Sequence, residues 1–230
     1  MTEDIWVIDS VPSEAARLPL PTRAALLRLK SGQLWLYAPT RLTHELTREI
    51  DALGPLAHII LPTPNHLEHV QDWAKAYPAA NLWAPDGVDI GGPEPRVLQD
   101  ASEEEAWREE LRQLVVTGHP DHPEAVFFHR ASDTLILADL ISAVETAHLK
   151  PWLRPVIWLR GLDDTVGRVP RWLRRGVRDE QAFADSLERM LNWGPRRVIL
   201  RHGKWYERNG VLELERAFAK VLRERQWEKA

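Results

Sequence analysis

The chain has 230 residues, of which 44% are hydrophobic and 28% charged, a balance typical of a folded globular protein. A chain of this length can bury a hydrophobic core without disulfide bonds or structural metal ions. One domain over residues 1–230 is the simplest organisation. The formal net charge of −4 is too small to indicate a polyanionic partner. The absence of cysteine excludes disulfide scaffolds, thiolate metal sites and cysteine nucleophiles. Any metal must therefore be held by His, Asp or Glu.

We expect neither a targeting segment nor a membrane-spanning segment in this sequence. Residues 1–10 lack a basic stretch followed by an apolar run, which argues against a signal peptide. The longest apolar runs, such as residues 57–61, are far shorter than a transmembrane helix. We therefore expect a cytoplasmic protein without a membrane partner.

The first half of the chain alternates predicted strands and helices, as α/β domains do. Short apolar segments bounded by turn residues predict strands over residues 5–8, 24–29, 34–37, 58–61 and 81–84. Helical spacing of apolar residues predicts helices over residues 43–53, with Thr43 as N-cap, and over residues 67–77.

The second half of the chain continues the same pattern. A helix is predicted over residues 103–112, a strand over 114–116, a hairpin from 125–129 and 134–138, and a strand over 198–200. Two further helices are predicted over residues 179–192 and 211–227. Residues 150–178 differ, because they hold seven arginines and the tryptophans Trp152, Trp158 and Trp172, and they predict a helical excursion.

Chemically useful side chains follow four of the apolar strands. His66 and His69 follow residues 59–61, His119 and His122 follow 114–116, Asp139 follows 135–138, and His202 follows 198–200. Ligands gather at strand ends in α/β folds, and His with carboxylate but no sulfur is typical of catalytic zinc. The pattern predicts a site for one ion of zinc, iron or manganese, or else an empty cleft that the histidines line.

The order of these motifs resembles the metallo-β-lactamase fold superfamily, an αββα sandwich whose dinuclear metal site lies at strand ends. Residues 64–69 stand where that superfamily has His-x-His-x-Asp-His. Its later motifs, a Gly-His loop, a strand ending in Gly-Asp-Leu and a final Gly-His-Gly, correspond to Gly118-His119, Leu137-Ala138-Asp139-Leu140 and Arg201-His202-Gly203. The segments 124–130 and 177–203 resemble a narrower branch of uncharacterised proteins, and the likeness covers about residues 5–220.

The chain departs from the superfamily pattern in its first motif. Pro64 stands at the first histidine position and cannot ligate a metal, and Glu68 replaces the aspartate. Thr40 falls where active members often carry an aspartate. The resemblance therefore implies a degenerate site that has lost a ligand. Another placement of the gap would make Asn65, rather than His66, face the metal.

The resemblance also implies roles for the candidate residues. His69, Asp139 and His202 form the better-preserved half of the site, with Asp139 as a bridging or second-site carboxylate. The other half of the site takes His66 and one further histidine, either His119 or His122. The choice between His119 and His122 remains open, and so does the choice between His66 and Asn65. Glu68 is a candidate to position the attacking water or accept its proton. The nearest residues able to orient these ligands are Thr63, Asn65 and Glu124.

These observations lead to two functional hypotheses. The first is a metal-dependent hydrolase that uses metal-bound hydroxide on a small-molecule substrate, with the arginines of residues 150–178 binding an anionic substrate. The second is a non-catalytic member of the fold that binds a small anion or a protein partner. The arginines are also consistent with a solvated helical surface. Nucleic-acid binding is disfavoured by the acidic remainder of the chain. The sequence leaves open whether the protein is an enzyme and what its oligomeric state is.

Overall fold

The computed structural model describes residues 4–10, 20–65, 67–99, 105–144, 151–160 and 167–228, and the side chains of residues 160 and 224–228 are not described. In these ranges the chain forms ten strands, six α-helices and one 3-10 turn. The strands are β1 Ile5–Ser10, β2 Thr22–Arg28, β3 Leu34–Tyr37, β4 Leu56–Ile60, β5 Asn81–Pro85, β6 Arg96–Leu98, β7 Leu111–Val116, β8 Glu124–His129, β9 Thr134–Leu137 and β10 Arg197–Leu200. The helices are α1 His44–Leu53, α2 Val70–Ala76, α3 Arg154–Arg160, α4 Arg171–Gly176, α5 Glu180–Asn192 and α6 Gly210–Glu228.

The strands form two sheets that keep close to sequence order. The first sheet runs β1-β2-β3-β4-β5-β6, antiparallel up to β3 and parallel from β3 to β6. The second runs β10-β9-β8-β7, and only its β10–β9 pair is parallel. Parallel pairs bring the carboxyl ends of their strands to one edge, where the candidate residues follow.

Three layers of apolar side chains hold the two sheets and the helices together. Because side chains alternate along a strand, β3 sends Trp35 and Tyr37 between the sheets, and Leu34 and Leu36 to the outer face. Helices α1 and α2 cover that outer face. Helices α4, α5 and α6 cover the outer face of the second sheet, with Phe183 in its core. The architecture is an αββα sandwich, as the sequence predicts.

The predicted helix over residues 103–112 is wrong in its described part. Residues 105–110 form turns, and Leu111 and Arg112 already belong to β7; residues 103 and 104 lie outside the described ranges. Trp107 explains the difference. It is 1% exposed, packs perpendicular to Trp83 at 5.0 Å, and donates its indole N–H to Gln113. Burying this ring between the sheets favours a tight turn over a surface helix.

The excursion over residues 150–178 contains two short helices, α3 and α4, and residues 145–150 and 161–166 lie outside the described ranges. The excursion exposes several apolar side chains: Trp152, Trp158, Leu159 and Trp172. Over the portion of the chain that the structure describes, every helix is too short or too polar to cross a membrane.

Candidate functional site

Asp139 and His202 are brought together by the register of the second sheet. The parallel β9–β10 pair aligns Leu137 with Leu200, and each candidate residue stands two positions further along. Asp139 Oδ1 lies 3.8 Å from Nε2 of His202. Asp139 is 4% exposed, so its carboxylate is held away from bulk water. The sheet register therefore builds half of the site.

The ring of His202 is oriented by the main chain of another segment. Its Nδ1 lies 3.3 Å from the carbonyl oxygen of Pro21. A carbonyl only accepts, so Nδ1 carries the proton that it donates. In the neutral ring, the lone pair is then on Nε2, the atom nearest Asp139. Metal-binding histidines commonly use this arrangement, with one nitrogen donating to the protein and the other directed at the metal.

His122 approaches the same carboxylate from a different loop. Its Nε2 lies 3.2 Å from Asp139 Oδ2, but it is buried and forms no hydrogen bond among the described residues. The short distance without hydrogen-bond geometry shows that the two atoms are close but not aligned. On the other side of the ring, Nδ1 lies 3.3 Å from the side-chain nitrogen of Asn65.

Glu124 and Thr63 hold the Asp139 segment in place. The buried Glu124 carboxylate accepts hydrogen bonds from the main-chain N–H of Ala138 at 2.7 Å and of Asp139 at 2.9 Å. Thr63 Oγ1 lies 3.5 Å from Asp139 Oδ2 and can donate to it. Burial, and next the charge of Asp139, raise the pKa of Glu124 to about 8, although main-chain hydrogen bonds oppose the shift. Thr63, Asn65 and Glu124 thus contact the candidate ligands that the sequence nominates them to orient.

Arg201 and Tyr37 also belong to this region, although no sequence motif assigns either of them a role. Arg201 is 4% exposed and donates from Nη1 to the carbonyl of Ala38 at 2.8 Å. Burial lowers its pKa, while the negative charges of Asp139 and Glu68 oppose that change. Tyr37 donates its hydroxyl to the Ala125 carbonyl, and burial raises its pKa well above the usual value. The signal available in the sequence was an arginine directly before His202 at the end of an apolar strand.

The remaining candidates lie in different places. His69 is half-buried at the N-cap of α2, and among the described residues it makes no hydrogen bond or ion pair with the Asp139 group. Glu68 is exposed, although its charge reaches Arg201. Thr40 is buried, and within the described ranges its hydroxyl has no hydrogen-bond partner. His66 lies outside the described residues.

Helix α4 covers the histidines of the β7–β8 loop. The ring of Trp172 packs perpendicular to His122 with centroids 4.9 Å apart, and lies 6.4 Å from the ring of His119. A Cβ atom on Gly176 would overlap the ring of His119, so this glycine permits the close approach. Burial, and then the proximity of His122, lower the pKa of His119. Both histidines therefore contact α4, and His122 also lies beside Asp139.

The donor set is only partly complete. Within the described portion of the chain, no three His, Asp or Glu side chains form a group that encloses a metal ion. His122 and Asp139 nevertheless lie within ligand-to-ligand distance, since two ligands of one tetrahedral zinc stand ~3.4 Å apart when each bond is ~2.1 Å. The buried, unsatisfied Nε2 of His122 fits a cation at this position.

The fold and the strand-end site define a protein of the metallo-β-lactamase fold, and comparison with solved structures agrees. A metallo-β-lactamase family protein from Thermus thermophilus superposes with a TM-score of 0.61 at 16% identity, covering 97% of this chain and 80% of that one. DIM-1 metallo-β-lactamase gives a TM-score of 0.65 at 12% identity, covering 97% and 95%. The metal-soaked Flv1 flavodiiron core from Synechocystis sp. PCC6803 gives 0.64 at 13% identity, covering 98% and 60%.

The sequence itself places the chain in a family. The sequence model described as "Domain of unknown function (DUF4336)" matches residues 2–152, about two thirds of the chain. The protein therefore belongs to the DUF4336 family, and its fold is that of the metallo-β-lactamases. Comparison with curated protein sequences gave no significant match.

Proposed function

We propose that the protein is a metal-dependent hydrolase in which His122, Asp139 and His202 bind one divalent ion, zinc, iron or manganese, and that these three side chains draw together when the ion binds. One observation carries the proposal: two imidazole nitrogens approach the two oxygens of a single buried carboxylate. Nε2 of His122 is 3.2 Å from Oδ2, and Nε2 of His202 is 3.8 Å from Oδ1. We assign a further ligand position to His66, on the strength of the first motif alone.

The electrostatics of His202 support a cation at this position. Because its Nδ1–H donates to Pro21, the neutral ring directs the Nε2 lone pair toward the Asp139 carboxylate. Two electron-rich atoms at this distance repel unless a proton or a metal cation lies between them. A divalent ion supplies that charge, and the nitrogen-and-oxygen donor set is the kind that catalytic zinc uses.

Asn65 is placed to set the proton position on His122. A metal ligand at Nε2 requires the ring proton on Nδ1, which must then donate to an acceptor. The amide oxygen of Asn65 provides this acceptor when the amide is turned over, an exchange of two atoms of nearly equal size. We assign Asn65 as a positioning residue for His122.

The other groups have separate roles in the proposed reaction. A bound divalent ion would supply an activated water as the nucleophile at neutral pH. Arg201 places positive charge close to Asp139 and Glu68, which offsets part of their negative charge. Glu68 is exposed, and we assign it to accept a proton from the attacking water. Trp172 forms one wall over His122, which suits a small-molecule substrate.

The test is the metal content of protein purified without added metal, measured by inductively coupled plasma mass spectrometry. We expect about one equivalent of zinc, iron or manganese per chain. The variants His122→Ala, Asp139→Asn and His202→Ala should lose it, because each removes one of three ligands. His44→Ala is the matched control, since His44 is exposed at the start of α1, the helix that covers the first sheet. Metal-free wild-type protein whose thermal stability is unchanged by chelator would refute the proposal.

The second candidate function is non-catalytic binding of a small anion or a protein partner. Two observations favour this alternative. The set of metal donors among the described residues is incomplete. In addition, the buried Arg201 beside Asp139 already neutralises part of the negative charge there. This alternative predicts that Arg201→Met destabilises the fold more than Asp139→Asn does, since the carboxylate would depend on the arginine. It also predicts no hydrolysis of phosphate, thio- and carboxylic esters after loading with any of the three metals.

A further inference from the structure

A second concave surface lies between α4, the segment preceding it, and α6, and it is lined by positive charge. The cleft has a volume of about 770 Å³. Of the ten described residues that line it, seven are cationic and none is acidic; the cationic ones are Arg168, Arg171, Arg174, Arg175, Arg216, Lys220 and Arg223. The three others are small or apolar, Val169, Ala217 and Ala219. We call this surface the α4–α6 cleft.

The positive charges of the cleft are only partly satisfied within the described residues. Arg216 is paired with Glu213 at 2.9 Å, and Arg171 donates to the Leu159 carbonyl at 3.0 Å. Arg174 and Arg175, at the end of α4, form no ion pair in the portion of the chain that the structure describes. Like charges gathered around one cleft repel, and the repulsion is relieved when a polyanion enters.

Helix α4 borders both the cleft and the candidate metal site. Residues three and four apart share a helix face, so Arg171, Arg174 and Arg175 line the cleft together. Trp172 packs against His122, and neither residue is among the described residues that line the cleft. The cleft is therefore a surface separate from the space beside His122 and Asp139.

We propose that the α4–α6 cleft binds a small polyanion that carries at least two phosphate groups. Guanidinium groups bind phosphate oxygens through paired, charge-assisted hydrogen bonds, and several arginines can grip several phosphates at once. The volume is within the usual range for small-molecule sites, about 300–1,000 Å³. A long polyanion such as a nucleic acid would also meet the remaining surface of a chain whose net charge is −4.

The experiment is isothermal titration calorimetry of the full chain with inorganic tripolyphosphate, at two salt concentrations. We expect saturable binding that weakens as salt rises. The double variant Arg174→Gln/Arg175→Gln should bind at least about tenfold more weakly, because it removes two charge-assisted contacts. Arg48→Gln/Arg41→Gln is the matched control, since both residues are exposed beside or on α1, across the sandwich from the cleft.

Each outcome separates the cleft from other sites. Equal weakening by the α4 pair and the α1-side pair would mean that general charge attracts the anion, and it would overturn the proposal. Asp139→Asn should bind tripolyphosphate as the wild type does; binding lost in that variant but kept in the α4 variant would place the ligand at the metal site and also overturn it. Tighter binding of single-stranded RNA, or of vesicles containing phosphatidylserine, than of tripolyphosphate would refute a small ligand.

Discussion

The carboxylate of Glu124 holds the main chain of Asp139 by accepting its amide hydrogen at 2.9 Å. Its second oxygen accepts the amide hydrogen of Ala138 at 2.7 Å. A buried side chain at the start of β8 thus replaces the strand partner that these two residues lack beyond the end of β9. The relationship explains how a candidate ligand outside a regular strand keeps a defined position.

Glu124→Gln should destabilise the protein, because an amide has only one oxygen and leaves one buried N–H unsatisfied. The expected loss is about 2 kcal/mol in the free energy of unfolding, measured by urea denaturation at a pH above the Glu124 pKa of about 8, where its side chain is a carboxylate. Glu49→Gln is the control, since Glu49 is exposed on α1. Equal stability of the two variants would show that the hydrogen bonds of Glu124 contribute nothing to the fold.

His58 should make stability depend on pH. It is 5% exposed, and its Nδ1 accepts a hydrogen bond from Trp83, so protonation both breaks that bond and buries a charge. Burial, and then the charge of Arg96, lower its pKa to about 4, whereas the unfolded chain has an ordinary value near 6.5. The unfolded state therefore binds more protons between these values, and stability falls as pH drops from about 6.5 to 4.

The His58→Gln variant tests this pH dependence, because glutamine can accept from Trp83 but does not titrate. Urea denaturation between pH 7 and 4 should show a smaller loss of stability for the variant, by at most ~3 kcal/mol. The lowered pKa of His129 acts in the same direction and remains in both proteins. Parallel pH profiles for variant and wild type would contradict the assignment.

Gly203 should tolerate no side chain, and the defect should extend to its neighbour His202. Its φ is +86°, and a Cβ would overlap the carbonyl oxygen of Ala143. Gly32 is the control for backbone strain alone, because its φ is +82° but a Cβ there meets nothing within 4 Å. We expect Gly32→Ala to cost ~1 kcal/mol and Gly203→Ala several times more, measured by urea denaturation. Similar losses of stability in the two variants would show that the backbone at Ala143 shifts to accommodate the added methyl group.

Trp172 should protect His122 from solvent. The indole packs perpendicular to the imidazole at 4.9 Å, and His122 is only 4% exposed. In chelator-treated protein, Trp172→Ala should speed diethyl pyrocarbonate modification of His122 by about tenfold, measured by peptide mass spectrometry. Trp158→Ala is the matched control, because Trp158 is 67% exposed on α3. Unchanged modification of His122 would mean that another element covers it.

The strands were the most predictable part of this fold. Segments such as residues 34–37 and 134–137 are apolar on both faces because each sheet is covered by helices on one side and by the other sheet on the second. The structure extends β7 back to Leu111, where the sequence predicts a helix. There the burial of Trp107 between the sheets outweighed the helical preference of a glutamate-rich segment.

The candidate site was predictable as a set of strand ends but not as a geometry. The order of motifs nominates Asp139 and His202, and the parallel β9–β10 register places them side by side. The choice between His119 and His122 depends on the turn of one loop and on α4 packing over it. Periodicity in a sequence reports which face of an element is apolar, and carries no information about such a turn.

The sequence by itself determined where the strands lie and which side chains follow them, because short apolar runs and the histidines after them are local properties of each segment. The order of these motifs carried the resemblance that implied the sandwich. Only the tertiary structure decided which side chains meet: His122 with Asp139, Arg201 beside that carboxylate, and the arginines of α4 opposite those of α6. These partners belong to segments that are distant along the chain. Their proximity follows from how sheets and helices pack, a property of the whole fold that no single segment encodes.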